Sequence, residues 1–148
     1  MKIIIIFFLT ATFISCAQKN NSNVEKKENV EINFNENKSI KEILESLKTG
    51  MIDYLQYADN EYSIKDVENC INLIENFVEN ISKSKSKIEG LKLIDEVVIQ
   101  LNELNNKCGG RLIETGQRED ICHIIIKVGF EKGYNLKNED TTEKLRDW

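Results

Sequence analysis

Apolar residues recur every three or four positions in four successive stretches between Ser39 and Lys132, and this spacing constrains the fold more than any other feature. In the most regular stretch the recurring residues are Ile88, Leu91, Ile94, Val98, Leu101 and Leu104. Such spacing places the apolar side chains on one face of an α-helix. Proline is absent from the sequence, so no stretch has to break. The sequence therefore predicts an all-α domain.

Polar residues that cap helices precede three of these stretches. Ser39 and Glu42 match the pattern of a capping box, in which each side chain bonds the backbone of the other residue. A second helix is predicted to begin near Ser63. A fourth is predicted to run from about Gly116 to Lys132, with Thr115 as its N-cap. The folded domain is therefore expected to start at Ser39 and to span residues 39–148.

Glycines and a run of serine and lysine separate the stretches. Residues 82–86 are predicted to form the turn between the second and third helices, and Gly109 or Gly110 to close the third helix in the left-handed conformation. Gly133 is predicted to end the fourth helix, which is apolar on nearly all sides and therefore the most buried. A short further helix is expected within 140–148. Four main helices with short loops indicate a small antiparallel or orthogonal bundle.

The first fifteen residues have a different character. Lys2 is followed by thirteen residues without a charge, 3–15. A helix that spans a bilayer needs about 20 apolar residues, so this run is too short to cross one. A basic residue followed by a short apolar run is typical of a secretory signal peptide. We expect residues 1–15 to direct export and to be removed.

The apolar run ends in Phe-Ile-Ser-Cys at 13–16, which resembles the lipobox of bacterial lipoproteins. The resemblance implies that Cys16 receives a diacylglycerol, that the leader is cut before it, and that acyl chains anchor the chain in a membrane. Alanine at position 17 implies transport to the outer membrane, with the domain facing the periplasm. Ordinary cleavage after Ala17, with Ser15 and Ala17 as the small residues of the site, is the alternative.

Residues 16–38 combine the predicted lipidated cysteine with a polar stretch rich in Asn, Lys and Glu. This stretch has too little apolar surface to offset the entropy of ordering, so it is predicted to be a flexible tether. Val30, Ile32 and Phe34 alternate with polar residues, which is a short strand-like pattern. Two interpretations of this pattern stay open: an apolar piece of tether, or a segment that docks on the domain.

Three cysteines remain when Cys16 is set apart as the lipidation site. In an oxidising compartment one pair can form a disulfide. Cys108 lies in a predicted loop, so Cys108 with Cys122, or Cys70 with Cys108, are the favoured pairs; three buried thiols are the alternative. The sequence has a single histidine, His123, and no C-x-x-C pattern, so we expect no metal site and no cofactor.

The densest polar stretch with possible specificity is 111–120. Its charged residues are Arg111, Glu114, Arg118, Glu119 and Asp120. A helix N-terminus with arginines can receive a carboxylate or a phosphate, so these residues are a candidate surface for a partner or ligand. The favoured alternative is internal ion pairing, with Arg118 bound to Asp140 or Asp147.

The C-terminal part of the chain, 114–148, combines a charged helix start, a long apolar helix ending in glycine, and a terminal Asp-x-Thr-x-x-x-Arg-x-Trp-like sequence. This part resembles a family of small bacterial helical proteins. The resemblance covers about 35 residues. It implies an all-helical fold and assigns no activity.

The chain carries 20 basic and 25 acidic side chains, a net charge of −5. A nucleic-acid-binding protein needs a concentrated positive face, so we expect no such partner. The sequence contains neither a nucleophile elbow nor a glycine-rich phosphate loop. The leading expectation is a non-enzymatic lipoprotein that binds another envelope or secreted protein, in the manner of an immunity protein or inhibitor. The alternatives are a small-ligand or envelope-stress binding module with a pocket between helices, and an enzyme.

Overall fold

The structure is a computed structural model that describes residues 38–58 and 61–148. These residues form four α-helices and one short 3₁₀ turn: α1 (Ile40–Tyr54), the 3₁₀ turn (Leu55–Tyr57), α2 (Ile64–Lys83), α3 (Lys87–Lys107) and α4 (Thr115–Glu131). Within these two ranges no residue is in a strand, which confirms the predicted all-α fold. The leader, the lipobox-like sequence and the residues Val30, Ile32 and Phe34 lie outside the described part of the chain.

The helix starts follow the capping patterns of the sequence with one exception. The Ser39 hydroxyl accepts from the Glu42 amide at 3.2 Å, and the Ser39 amide donates to the Glu42 carboxylate at 2.7 Å. The Ser63 amide donates to the Asp66 carboxylate at 2.9 Å. The N-cap of α4 is Glu114 and not the predicted Thr115, and its side chain makes no capping bond. Thr115 is instead the first residue inside the helix.

The helix ends also follow the sequence. Gly109 and Gly110 have φ angles of 61° and 77°, and Gly133 has a φ of 74°. These left-handed conformations are costly for other residues, so glycine closes α3 and α4 as predicted. Gly50, by contrast, does not break α1, which continues to Tyr54.

The core lies between the four helices, with α4 the most enclosed. In α4 the buried residues are Ile121, Cys122, Ile124, Ile125, Ile126, Val128 and Gly129. Buried side chains of the other helices pack around them, among them Leu47, Ile74 and Leu101. The nearly all-round burial of α4 confirms its predicted central position.

The helices α2, α3 and α4 run in alternating directions between the two ends of the bundle. At one end the Tyr62 hydroxyl donates to the Met51 carbonyl at 2.7 Å, so the end of α1 meets the start of α2. At the other end the Lys132 ammonium donates to the Ser82 and Ser84 carbonyls at 3.0 and 3.1 Å, so the end of α4 meets the end of α2. None of the described helices is long and apolar enough to cross a membrane.

The chain after α4 folds back over the bundle. Residues 141–145 form hydrogen-bonded turns in the region where the sequence predicted a short helix. The Asp140 carboxylate accepts from the amide and the hydroxyl of Thr142, a local pattern that competes with helical bonding. The Leu145 carbonyl accepts from the Asn102 side chain at 2.7 Å, and Trp148 packs against the core.

Candidate functional site

Arg111 lies on the loop between α3 and α4, where two carboxylates and a tyrosine surround it. Its Nε is 3.5 Å from Glu61 Oε2, and its Nη1 is 3.7 Å from Glu114 Oε1. Its guanidinium carbon lies 6.0 Å from the centre of the Tyr54 ring, within the range of a cation–π contact. The side chain is 40% exposed, so the guanidinium is held in place yet reaches the surface.

A pair of tyrosines extends this arrangement along the surface. The ring centres of Tyr54 and Tyr57 are 5.9 Å apart at an interplanar angle of 49°. Tyr57 is 62% exposed, which is high for a large aromatic residue in a packed domain. We refer to Tyr54, Tyr57, Glu61, Arg111 and Glu114 as the Arg111 cluster.

The loop that carries Arg111 is positioned by a buried asparagine and a glycine. The Asn105 side chain is 4% exposed, and its oxygen accepts from the Ile113 amide at 2.9 Å. A methyl group at Gly109 would lie 3.2 Å from the Glu61 carboxyl carbon, so glycine allows the loop to approach Glu61. The Arg111 cluster therefore rests on a defined backbone, which reduces the entropy lost when a partner binds.

Side-chain contacts join only some of the predicted surface residues of 111–120. Arg111 and Glu114 come together, as described above. Within residues 38–58 and 61–148, no hydrogen bond or ion pair joins the side chains of Arg118, Glu119 or Asp120 to the Arg111 cluster. Burial raises the pKa of the Asp120 carboxyl, an effect that Lys38 opposes and Glu119 reinforces. These three residues lie along the first turns of α4.

The favoured ion pair of Arg118 with Asp140 or Asp147 is wrong for the described residues. Asp140 is bound instead by Arg146, whose Nη1 lies 2.9 Å from its Oδ2. The local turn at 140–146 brings these two residues together, whereas Arg118 belongs to the start of α4. Asp140 therefore pairs with Arg146, which lies six positions later in the chain, and not with Arg118.

Arg146 makes a second cluster, with Cys122, Asp140 and Thr142. Its Nη1 lies 2.9 Å from the Cys122 sulfur and 2.7 Å from the Thr142 hydroxyl. We refer to these four residues as the Arg146 cluster. Burial raises the pKa of the Cys122 thiol, although Thr142 and Arg146 act in the opposite direction. The cluster has the character of a packed polar contact that holds the C-terminal segment on α4.

The three cysteines in the described part of the chain are buried free thiols: Cys70, Cys108 and Cys122. Burial, reinforced by Cys108, raises the pKa of Cys70 to about 12. A thiol with such a pKa is protonated at neutral pH and reacts slowly. A disulfide of Cys108 with Cys122, or of Cys70 with Cys108, stays a prediction.

In the described part of the chain, no group of three or more His, Cys, Asp or Glu side chains could hold a metal ion. His123 is half-buried on α4. Burial and the nearby charges of Lys127 and Lys38 lower its pKa. The imidazole is therefore neutral at physiological pH.

Sequence reasoning missed three members of the Arg111 cluster, namely Tyr54, Tyr57 and Glu61. The available signal was the aromatic and acidic composition of 54–62 between two predicted helices. Exposed tyrosines beside an arginine are typical of protein-binding surfaces, but the sequence does not show that Arg111 reaches them.

Comparison of the chain with protein-family models, with curated proteins and with solved structures returned no significant match. The functional conclusion therefore depends on the chemistry of the Arg111 cluster and on the organisation of the chain.

Proposed function

We propose that the chain is an outer-membrane lipoprotein, anchored through Cys16 and facing the periplasm, whose helical domain binds another envelope or secreted protein without catalysing a reaction. The observation that carries the binding part of this proposal is the Arg111 cluster. Tyrosine and arginine dominate the energetic centres of protein interfaces because they offer large contact area together with hydrogen bonds. An immunity protein or inhibitor is the concrete form of this function that we favour.

The charge around the cluster indicates the chemistry of the partner. Glu61 and Glu114 together carry one more charge than Arg111, and Asp53 lies exposed close by in sequence on α1. The whole chain carries a net charge of −5. A basic partner would be attracted to such a surface over a distance and would associate faster at low salt. We therefore propose a cationic protein partner.

The position of the cluster suits a domain that is held by its N-terminal segment. Helix α1 has 15 residues and ends at Tyr54, so its first residue lies about 21 Å from the cluster at 1.5 Å per residue. An anchor at Cys16 precedes α1 in the chain, so we propose that it leaves the Arg111 cluster accessible to a protein in the periplasm.

Substitution of the cluster is expected to abolish most of this binding. The chain from residue 17 onward would be immobilised and exposed to envelope extracts and culture supernatants. The affinity of each captured protein would then be measured by calorimetry. Because residues at an energetic centre contribute about 2 kcal/mol or more, we expect Tyr57→Ala and Arg111→Ala each to weaken binding by about 30-fold.

The matched control is Ile99→Ala, which removes a side chain of similar exposure, 45%, from α3. We expect this variant to bind within about twofold of the unaltered chain, since exposed residues outside an energetic centre contribute little. Thermal unfolding of all variants would show that each remains folded. Failure of the unaltered chain to capture any protein, or equal capture by the cluster variants, would refute the proposed binding function.

The small-ligand alternative retains one observation in its favour. Arg118 is half-buried at the start of α4 and forms no ion pair with the residues in the described ranges. An anion that approached Arg111 would instead compete with Glu61 and Glu114. Calorimetric titration with a dicarboxylate and with phosphate distinguishes the two functions, because only the small-ligand function predicts heat that disappears in Arg118→Gln.

The anchor is tested by the mass of the chain recovered from membranes. We expect Cys16 to carry the diacylglycerol and the acyl group that the lipobox resemblance implies, and Cys16→Ala to lose both and to remain uncleaved. The same spectrum reports a loss of two hydrogens if Cys70, Cys108 and Cys122 include a disulfide. An unmodified chain that begins at residue 18 would replace the lipoprotein proposal with simple secretion after Ala17.

A further inference from the structure

The end of the bundle opposite the Arg111 cluster carries a group of lysines. The turn between α2 and α3 carries lysines at alternating positions, Lys83, Lys85 and Lys87, and Lys92 follows one turn into α3. The nearest acidic residues in sequence are Glu79, which pairs with Lys83, and Glu89, whose carboxylate accepts from the Lys85 amide at 2.8 Å. The turn keeps an excess of positive charge in a chain with a net charge of −5. We refer to residues 83–88 and 130–136 as the Lys85 end.

The lysines of the turn point into solvent from a backbone that is held firmly. The Ser84 side chain is 6% exposed, and its hydroxyl lies 2.9 Å from the Tyr134 hydroxyl. Lys132 donates to the Ser82 and Ser84 carbonyls, which fixes the turn against the end of α4. Lys85 and Lys87 are exposed and form no ion pair with any residue in 38–58 or 61–148. Their charges are therefore available to a partner.

Exposed apolar side chains lie among these charges. Ile88 is 83% exposed and Leu136 is 75% exposed, the two highest values among the large apolar residues of the described part. Ile88 lies two residues before Gly90, and Leu136 lies two residues after Tyr134, whose ring packs against Gly90. Phe130, 45% exposed, precedes Lys132 by two residues at the end of α4. The Lys85 end therefore combines lysines with unburied aliphatic and aromatic side chains.

We propose that the Lys85 end binds the surface of a bilayer that contains anionic phospholipids. Lysines bind the phosphate and glycerol headgroups electrostatically, and aliphatic and aromatic side chains enter the boundary of the acyl region. A second, reversible contact of this kind reinforces a lipid anchor. The combination of lysines with exposed aliphatic and aromatic side chains favours a lipid surface, because anionic headgroups and the acyl boundary lie side by side there.

Contact between the Lys85 end and a bilayer would also orient the domain relative to the membrane. Helix α2 begins beside Tyr62 and ends at Lys83 after 20 residues, so the two ends of the bundle are about 30 Å apart. A domain that rests on the bilayer through the Lys85 end directs the Arg111 cluster away from the membrane. This orientation deepens the proposed function of an anchored, protein-binding domain, but the contact itself uses only residues of the domain.

The test uses the chain from residue 17 onward, produced without the leader, so that no attached lipid contributes. Co-sedimentation would be measured with vesicles of phosphatidylethanolamine and phosphatidylglycerol, and with vesicles of phosphatidylcholine alone. We expect binding to the anionic vesicles only, and loss of binding at about 0.5 M salt, where exposed charges are screened within a few ångströms. Binding of similar strength to both kinds of vesicle, or to neither, would overturn the proposal.

Two sets of variants locate the contact. Each lysine near an anionic surface contributes about fivefold in affinity, so Lys85→Gln and Lys87→Gln together are expected to weaken binding by about 25-fold. The control combines Lys65→Gln and Lys144→Gln, which are exposed elsewhere and change the net charge equally. An equal loss in the control would show a net-charge effect and overturn the assignment to this end.

The apolar residues are tested with Ile88→Ser and Leu136→Ser, which are expected to weaken vesicle binding several-fold without lowering thermal stability. Sedimentation of the chain without vesicles would show whether a second copy of the chain occupies the Lys85 end instead. A dimer that these two substitutions dissociate would assign the apolar residues to self-association and overturn the lipid proposal. The lipid anchor is tested separately, by the mass of the chain that carries Cys16. Failure of the vesicle-binding proposal is therefore distinguishable from failure of the lipoprotein proposal.

Discussion

Alanine in place of Gly90 is expected to lower the free energy of unfolding by about 2 kcal/mol. A methyl group at this position on α3 would overlap Cδ2 and Cε2 of the Tyr134 ring. The ring cannot move outward without breaking the contact of its hydroxyl with Ser84, at 2.9 Å. Overpacking of this kind costs typically 1–3 kcal/mol, and a lost buried hydrogen bond about 1 more. The better helix propensity of alanine offsets about 1 kcal/mol of this loss.

Urea denaturation followed by circular dichroism measures this effect, and Gly116→Ala provides the matched control. Gly116 lies in the first turn of α4, and apart from its chain neighbours and the backbone of its own helix, no atom of the described residues lies within 4 Å of a methyl group added there. Alanine at 116 is therefore expected to stabilise the domain by about 0.5–1 kcal/mol through helix propensity and reduced freedom of the unfolded chain. Equal effects of the two substitutions would contradict the packing of Tyr134 on α3.

Replacement of Arg146 by methionine is expected to lower the free energy of unfolding by about 2–4 kcal/mol at pH 7. The side chains of Arg146 and Asp140 are only 19% and 21% exposed. Methionine preserves much of the apolar volume but leaves the Asp140 carboxylate without its cation, and an uncompensated half-buried charge is destabilising. The C-terminal segment is expected to loosen, because Arg146 also binds Thr142 and the Cys122 sulfur.

A double-mutant cycle separates the ion pair from the rest of the cluster. Asp140→Asn combined with Arg146→Met removes both charges and is expected to recover about 1–2 kcal/mol relative to Arg146→Met alone. The free energy of unfolding of all four proteins would be obtained from urea denaturation. Strict additivity of the two substitutions would show that Asp140 and Arg146 do not interact.

The pH dependence of stability follows from the direction of the Asp140 pKa. Burial acts to raise this pKa, but the bonds from Thr142 and the charge and bond of Arg146 outweigh it, so the folded-state pKa lies below the usual value of 3.8. The stabilisation is therefore fully present above the unfolded-state pKa and is lost as the pH falls through the folded-state pKa. In Arg146→Met the pKa of Asp140 is expected to rise, so this loss of stability on acidification should disappear, and the difference in the free energy of unfolding between the two proteins should shrink as the pH falls. Denaturation curves between pH 7 and 3 measure this difference.

The helix boundaries were predictable because their determinants are local. Ser39 and Glu42 bond each other across three residues, and the apolar stripe of each helix repeats within a single segment. Both limits of α4 were predicted one residue late, and at its start Glu114 occupies the N-cap without a side-chain bond. Propensity and spacing alone do not distinguish Glu114 from Thr115 at that position, because threonine is the better capping residue.

The contacts of the arginines were not predictable from spacing. Arg111 meets Tyr54 and Glu61, which lie 57 and 50 positions earlier in the chain. Charge alone suggested that Arg118 pairs with Asp140 or Asp147, yet Arg146 binds the Asp140 carboxylate. Many acids and bases are available in a chain that is nearly one-third charged, so sign complementarity leaves too many combinations open.

The sequence by itself determined the all-α class, the four helices with most of their limits, and the central position of α4. These follow from short-range hydrogen bonds and from the 3.6-residue period, both of which operate within one segment. The tertiary structure alone decided which side chains meet at the Arg111 cluster, which base binds Asp140, and that lysines and exposed apolar residues gather at the opposite end. Those features depend on how the helices pack, because packing brings together groups that no spacing along the chain connects.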